Sequence, residues 1–195
     1  MCFAEITNLS FQTHAWEQRK LGEMFRERKD RSSEGQLISV TINSGVIKSS
    51  DLDRKDNSSN NKSNYKVVCK GDIAYNSMRM WQGASGYSKF NGIVSPAYTV
   101  LRPKNIANSL FFSYMFKSSK LIQTFQRNSQ GLTSDTWNLK YPAFSNIKIF
   151  STSLDEQQKI GTFFKQLDHL ITLHQRKLKH LQLQKKAIEL ELLLI

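Results

Sequence analysis

The last forty residues constrain the chain most. Ile160, Phe164, Leu167, Ile171, His174, Leu178, Leu181, Lys185, Ile188 and Leu192 follow one another at spacings of four and three without a break. Eight of these ten positions are apolar. That period places a narrow apolar seam along one side of a helix, which suits a partner helix better than a broad core. No proline interrupts the stretch from Asp155 to Ile195. At about 1.5 Å per residue, a helix of roughly 39 residues reaches about 58 Å. A small domain does not need such a rod to fold, whereas a spacer between two objects does.

The remainder is basic. Residues 1–150 hold 21 Lys and Arg against 11 Asp and Glu, or +10, whereas residues 151–195 hold 7 against 5, or +2. A positive body beside a nearly balanced rod points to a polyanion, usually nucleic acid. A merely solubilising surface is the plainer reading. With 195 residues the chain accommodates one domain and an appendage. The expected division is a binding domain over 1–152 and a spacer or dimerisation helix over 153–195.

Two cysteines, Cys2 and Cys69, fit a reducing cytoplasm. Cys69, in an apolar run after Val67 and Val68, reads as a buried, inert thiol. Met1–Ser10 lacks the features of a signal peptide, and no apolar run approaches a membrane span, so no membrane role is expected.

Trp16 to about Arg28 reads as an opening helix, with Trp16, Leu21, Met24 and Phe25 roughly on one face. Leu37–Ile42 reads as a strand closed by the turn Asn43-Ser-Gly45, and Val46-Ile47 starts the return. Residues 49–64 read as a polar surface loop. Strand-like segments flank a Gly71-Asp72 turn, and Val94–Pro103 reads as one strand. Ser109–Lys117 and Ser119–Gln126 read as helices, and 146–149 as a last strand. Ser151-Thr-Ser153 is placed to cap the rod, with Asp155 and Glu156 at its positive end. Mixed elements without a βαβ rhythm predict an α+β domain followed by one long C-terminal coiled-coil helix.

Catalytic signatures are missing. His14, His169, His174 and His180 show no metal-ligand spacing with Cys, Asp or Glu, so no metal is expected. His174 reads as a register-setting polar residue on the seam. The chain lacks a phosphate-cradling loop, a dinucleotide fingerprint and the Asn-Pro-Pro-aromatic element of an adenine methyltransferase. Asp51, Asp53 and Lys55 superficially resemble a nuclease cluster but read as solvated loop.

Two loops carry the chemistry of nucleic-acid reading. The first offers Asn76, Arg79, Trp81, Gln82, Ser85, Tyr87 and Lys89 among glycines. The second offers Arg127, Asn128, Ser129, Gln130, Thr133, Asn138 and Lys140. Arg, Asn and Gln make bidentate bonds that distinguish guanine and adenine edges in a major groove, while Lys and hydroxyl groups hold phosphates. Arg79, Gln82, Arg127, Asn128, Gln130 and Asn138 are therefore the candidate base readers, with Lys89 and Lys140 on phosphates. Trp81 and Trp137 read as packing anchors rather than base stackers.

These residues also carry a family resemblance. Trp16-Glu-Gln-Arg-Lys-Leu-Gly-Glu23 is similar to the opening of a target recognition domain. Tyr65 through Gly71-Asp-Ile-Ala-Tyr75, with Ser95-Pro-Ala-Tyr98, is similar to its central segment. Gln130-Gly-Leu-Thr133 falls where the family has a Gly-Ser/Thr loop. Leu154-Asp-Glu-Gln-Gln-Lys-Ile-Gly-Thr-Phe-Phe-Lys-Gln-Leu-Asp168 is the most specific stretch and resembles the junction into a conserved spacer helix. The chain thus resembles, over 16–185, one half of a type I restriction-modification specificity (S) subunit. The resemblance implies two recognition domains, separated by antiparallel helices, that read a bipartite DNA sequence without an active site. It implies a modification subunit that uses S-adenosylmethionine to methylate adenine, and a restriction subunit that uses ATP and Mg to translocate and cut. No cofactor is expected in this chain.

The chain departs from that pattern in its single domain and helix, its lead-in before Trp16, Thr152 in place of an expected proline, and its tail from Ala187. Those departures fit a half-length gene, a truncated frame or a fragment. The resulting expectation is a chain that self-pairs through Ile160, Phe164, Leu167, Ile171, His174, Leu178, Leu181 and Ile188. The alternatives are a non-specific nucleic-acid binder and a coiled-coil scaffold without DNA specificity.

Overall fold

The computed structural model describes residues 15–52, 59 and 61–192, with side chains to 190. Cys2, His14, Asp53, Lys55 and the last three residues lie outside the described residues, as does the Met1–Ser10 start.

The opening segment is not a helix. It forms a strand β1 (Glu17–Lys20), one helical turn α1 (Leu21–Met24) and a strand β2 (Phe25–Glu27). Leu21, Met24 and Phe25 are buried as the apolar spacing suggests, whereas Trp16 stays half-exposed. Long-range pairing overrides the local helical period.

A hairpin follows, β3 (Ile38–Thr41) with β4 (Gly45–Lys48). Then come β5 (Lys66–Val68), β6 (Ile73–Asn76), β7 (Ser85–Tyr87), β8 (Gly92–Val94) and β9 (Tyr98–Pro103). The expected single strand at 94–103 is therefore two, divided around Pro96, and they pair with different partners. The helices α2 (Ser109–Met115), α3 (Ser119–Asn128) and α4 (Tyr141–Asn146) come next. The last strand β10 (Lys148–Ser151) runs antiparallel to β1 and leads into the rod α5 (Leu154–Leu192).

The central sheet has the order β2-β9-β6-β7. It is buried on both faces, and alternation along its strands shows how. Ile73, Tyr75 and Leu101 point into a core with α2, α3 and α4. Ala74 and Val100 point the other way, onto Ile38, Val40 and Val46 of the β3–β4 hairpin and Val68 and Val94 of the β5–β8 pair. The helical side is rich in aromatics: Phe25 meets Phe112 edge-on at 5.0 Å, and Tyr75 stacks on Phe144 at 5.4 Å. Asp72, almost fully buried, is held by Arg28 through a forked pair at 2.7 and 3.2 Å and accepts the Cys69 N–H at 2.8 Å. The hydrogen bond to Asp72 raises the Arg28 guanidinium above its ordinary pKa. Cys69 itself is half-buried rather than buried.

The rod is rooted in the domain by a defined set of contacts. Gln157 is fully buried. Its Oε1 accepts the Asn108 N–H at 2.8 Å, and Asn108 Oδ1 in turn accepts the Phe111 N–H at 2.9 Å to cap α2. Gly161 lies against α2 so closely that a Cβ there would sit 3.0 Å from Phe111 N. Tyr114 Oη donates to Asp168 at 2.7 Å, and its ring lies 5.3 Å from that of Phe164. Burial, and then that bond, raises the Tyr114 phenol above its ordinary pKa. Two seam positions are therefore engaged by the domain, Ile160 packed against its core and Phe164 on Tyr114. From Ile171 onward the seam is exposed: Ile171, Leu178, Leu181 and Ile188 each keep more than half of their surface in water. His174 is exposed among them.

Candidate nucleic-acid interface

The two reading loops meet. The first leaves β6 at Asn76, makes a tight 3-10 turn at Met80–Gln82 and returns as β7. The second leaves α3 and re-enters at α4. Leu139 N donates to Ser77 O at 2.8 Å, and Tyr75 Oη donates to Leu139 O at 3.1 Å. Trp81 and Trp137 pack edge to face at 5.3 Å, and Trp81 Nε1 donates to Met78 O at 3.1 Å. Both tryptophans act as the anchors that join the loops.

The second loop is itself a stiff hairpin. Gln130 and Asn138 exchange both backbone bonds, at 3.0 and 2.8 Å. Thr133 and Thr136 close its tip, with Thr136 N donating to Thr133 O at 3.0 Å and Thr133 N to Thr136 Oγ1 at 3.1 Å. Gly131 has φ +150°, and a Cβ there would lie 2.6 Å from the Thr136 backbone. Only glycine fits both demands.

A third segment joins them. Lys117, between α2 and α3, donates from Nζ to Ile42 O at 2.7 Å and to Gly83 O. It ties the turn between β3 and β4 to the first loop. Burial lowers its pKa.

The candidate readers divide by position. Arg79 precedes the first turn, Gln82 is its last residue, and both are half-buried. Arg127 and Asn128 are not loop residues. They form the exposed last turn of α3, where Asn128 Nδ2 donates to Thr124 O at 2.9 Å. Gln130, Thr133 and Lys140 are exposed. Asn138 turns Oδ1 inward, where it is buried without a partner. Lys89 stands apart: it follows β7 at the opposite end of the β6–β7 pair, beside the bond from Gly71 N to Ser88 O. Lys117 and the fully exposed Leu132 were not singled out from the sequence. Leu132 carried one signal, an apolar residue at the tip of a mostly polar loop. Lys117 carried none.

A cleft of about 290 Å³ lies at the root of the rod, lined by Ala15, Glu17, Arg19, Met24, Ile106 and Ser151–Leu154, with no residue of either reading loop in its wall. Among the described residues, no group of three or more His, Cys, Asp or Glu is placed to hold a metal ion, and no helix is long and apolar enough to cross a membrane.

The model of the type I restriction-modification DNA specificity domain matches residues 14–183. The chain belongs to that family. Among solved structures, it is similar to the type I restriction-modification S subunit of M. genitalium, with 19% identity, a TM-score of 0.54, and coverage of 90% of this chain and 45% of that one. A chain from a type I R-M system described for its complex assembly and conformational transition is 16% identical, with a TM-score of 0.52, covering 83% and 40%. The HsdS subunit of Thermoanaerobacter tengcongensis is 15% identical, with a TM-score of 0.49, covering 81% and 38%. This specificity domain thus spans less than half the length of those chains, and the first two likenesses establish the shared mixed α+β fold with its long helix. No curated protein matches the chain.

Proposed function

We propose that this specificity domain reads double-stranded DNA with the face where its two loops converge, on behalf of a modification subunit and a restriction subunit. The observation that supports it is the joining of the loops by Leu139–Ser77 and Trp81–Trp137 within a basic domain of the specificity family. In this reading Arg79, Gln82, Arg127, Asn128 and Gln130 address base edges, while Asn138 is left only its amide nitrogen. Lys140 and Thr133 hold nearby phosphates, and Lys89 a phosphate further along the duplex. The domain is 1–152 and the spacer 153–195. The chain brings no cofactor. S-adenosylmethionine, ATP and Mg belong to the partner subunits, which methylate adenine and cut.

We further infer that the free seam from Ile171 to Ile188 pairs with the same seam of a second copy, antiparallel. That stretch is about 27 Å long at 1.5 Å per residue. Pairing removes Ile171, Leu178, Leu181 and Ile188 from water, worth roughly 25 cal/mol per Å² of apolar surface, with His174 and Lys185 between them. Two recognition domains then sit at opposite ends of the rods, and twofold symmetry selects a palindromic bipartite site with an unread spacer. Sedimentation at micromolar concentration, with and without DNA, tests the pairing. A dimer that dissociates in the double variant Ile171→Asp, Leu178→Asp is expected, and a monomer under every condition refutes it. Competition by random duplex tests the reading: equal competition by all sequences refutes specificity and leaves a charged, non-specific surface.

A further inference from the structure

Leu132 is fully exposed, at 101% of its reference surface. An exposed leucine on a loose loop is ordinary, but this one is held out by a rigid frame. Its hairpin is closed below by the Gln130–Asn138 pair and above by the Thr133–Thr136 turn. Gly131 is locked against Thr136, and Trp137 is anchored on Trp81. The side chain therefore projects from a fixed position, gains no contact from the fold, and stands among hydrogen-bonding groups. Apolar surface held in water has no return in the free protein. Held out on the proposed DNA-reading face, it is free to meet an apolar group of the nucleic acid. In the major groove the base edges present donors, acceptors and one apolar group, the 5-methyl of thymine.

We propose that Leu132 is a specificity-determining residue that packs on the 5-methyl group of one thymine in the recognised sequence. The inference rests on the DNA-reading face proposed above. It adds a reader that senses shape rather than hydrogen bonding, placed between Gln130 and Thr133 on the same hairpin.

The test uses the full chain with its modification subunit and the duplex it selects from a random pool. Each thymine in turn is replaced by deoxyuridine, which removes only the methyl group. One position should weaken binding about fourfold, the factor for one buried methyl-sized contact. Leu132→Ala should weaken the thymine duplex by at least that factor and make the deoxyuridine duplex no worse. Because Leu132 touches nothing in the fold, circular dichroism of the variant should match the parent. The proposal is overturned if the deoxyuridine penalty is the same in Leu132→Ala as in the parent at every position. It is also overturned if the selected site contains no A·T pair, or if Leu132→Ala binds as tightly as the parent. Failure of the underlying reading looks different: the parent then enriches no sequence at all, and both fall together.

Discussion

Gln157→Leu measures how firmly the rod is joined to the domain. Gln157 is fully buried, and leucine has nearly its volume without its polar atoms. Its Oε1 accepts one bond from Asn108 N at 2.8 Å. Its Nε2 faces three acceptors, Thr152 O at 2.8 Å, Ile106 O at 3.1 Å and Ser151 Oγ at 3.2 Å. An amide nitrogen has two hydrogens, so the side chain makes about three bonds at a time. At roughly 1 kcal/mol net for each, their loss costs about 3 kcal/mol. The orphaned Asn108 N–H, which no longer has a partner at the start of α2, adds about 1 kcal/mol. The expected destabilisation is about 3–4 kcal/mol, a large fraction of the stability of an ordinary domain. Urea titration followed by circular dichroism, at fixed protein concentration, reads it directly. A loss below about 1 kcal/mol would show that water substitutes for the amide and that the joint is not what the geometry says.

Three further outcomes follow from the same geometry. Burial pushes the Tyr75 phenol well above its ordinary pKa, so the unfolded chain ionises first, near pH 10. Stability should be full well below that pH and fall as pH rises through it, and Tyr75→Phe should remove about 1.4 kcal/mol of the total fall between pH 9 and 11 in denaturant titrations. Gly131→Ala should destabilise by more than 1 kcal/mol and unlock amide exchange across 130–138, because φ +150° and the Thr136 backbone both exclude a Cβ; unchanged exchange would contradict the rigid hairpin. Arg79→Ala should cost about 1–3 kcal/mol on the selected duplex alone, whereas Lys140→Ala should weaken all duplexes alike and lower the salt slope by about 1, as read by fluorescence anisotropy.

What was legible in the sequence depended on range. The rod follows from a period visible within its own residues, and the helix Leu154–Leu192 follows that stretch up to the last described residue. The hairpin at 38–48 was visible because its turn, Asn43-Ser-Gly45, is local. The opening segment was not, because Glu17–Lys20 takes its strand conformation from pairing with Lys148–Ser151 at the far end of the domain. The helix Tyr141–Asn146 escaped notice because it is short, although Pro142 in its first turn is itself a helix-start signal. The composition of the two loops was readable, but their meeting was not. It depends on Ser77 and Leu139 finding each other across the fold, and on a lysine at the α2–α3 corner reaching two backbone carbonyls. The extent of the free seam was hidden too, since only packing reveals that Ile160 and Phe164 already serve the domain.

Selection of bound duplexes from a random pool, by the chain together with the modification subunit proposed for it, tests the central claim most directly. The account predicts a bipartite consensus with inverted identical halves and an unread spacer of fixed length. A bound pool with the same sequence composition as the input would contradict it.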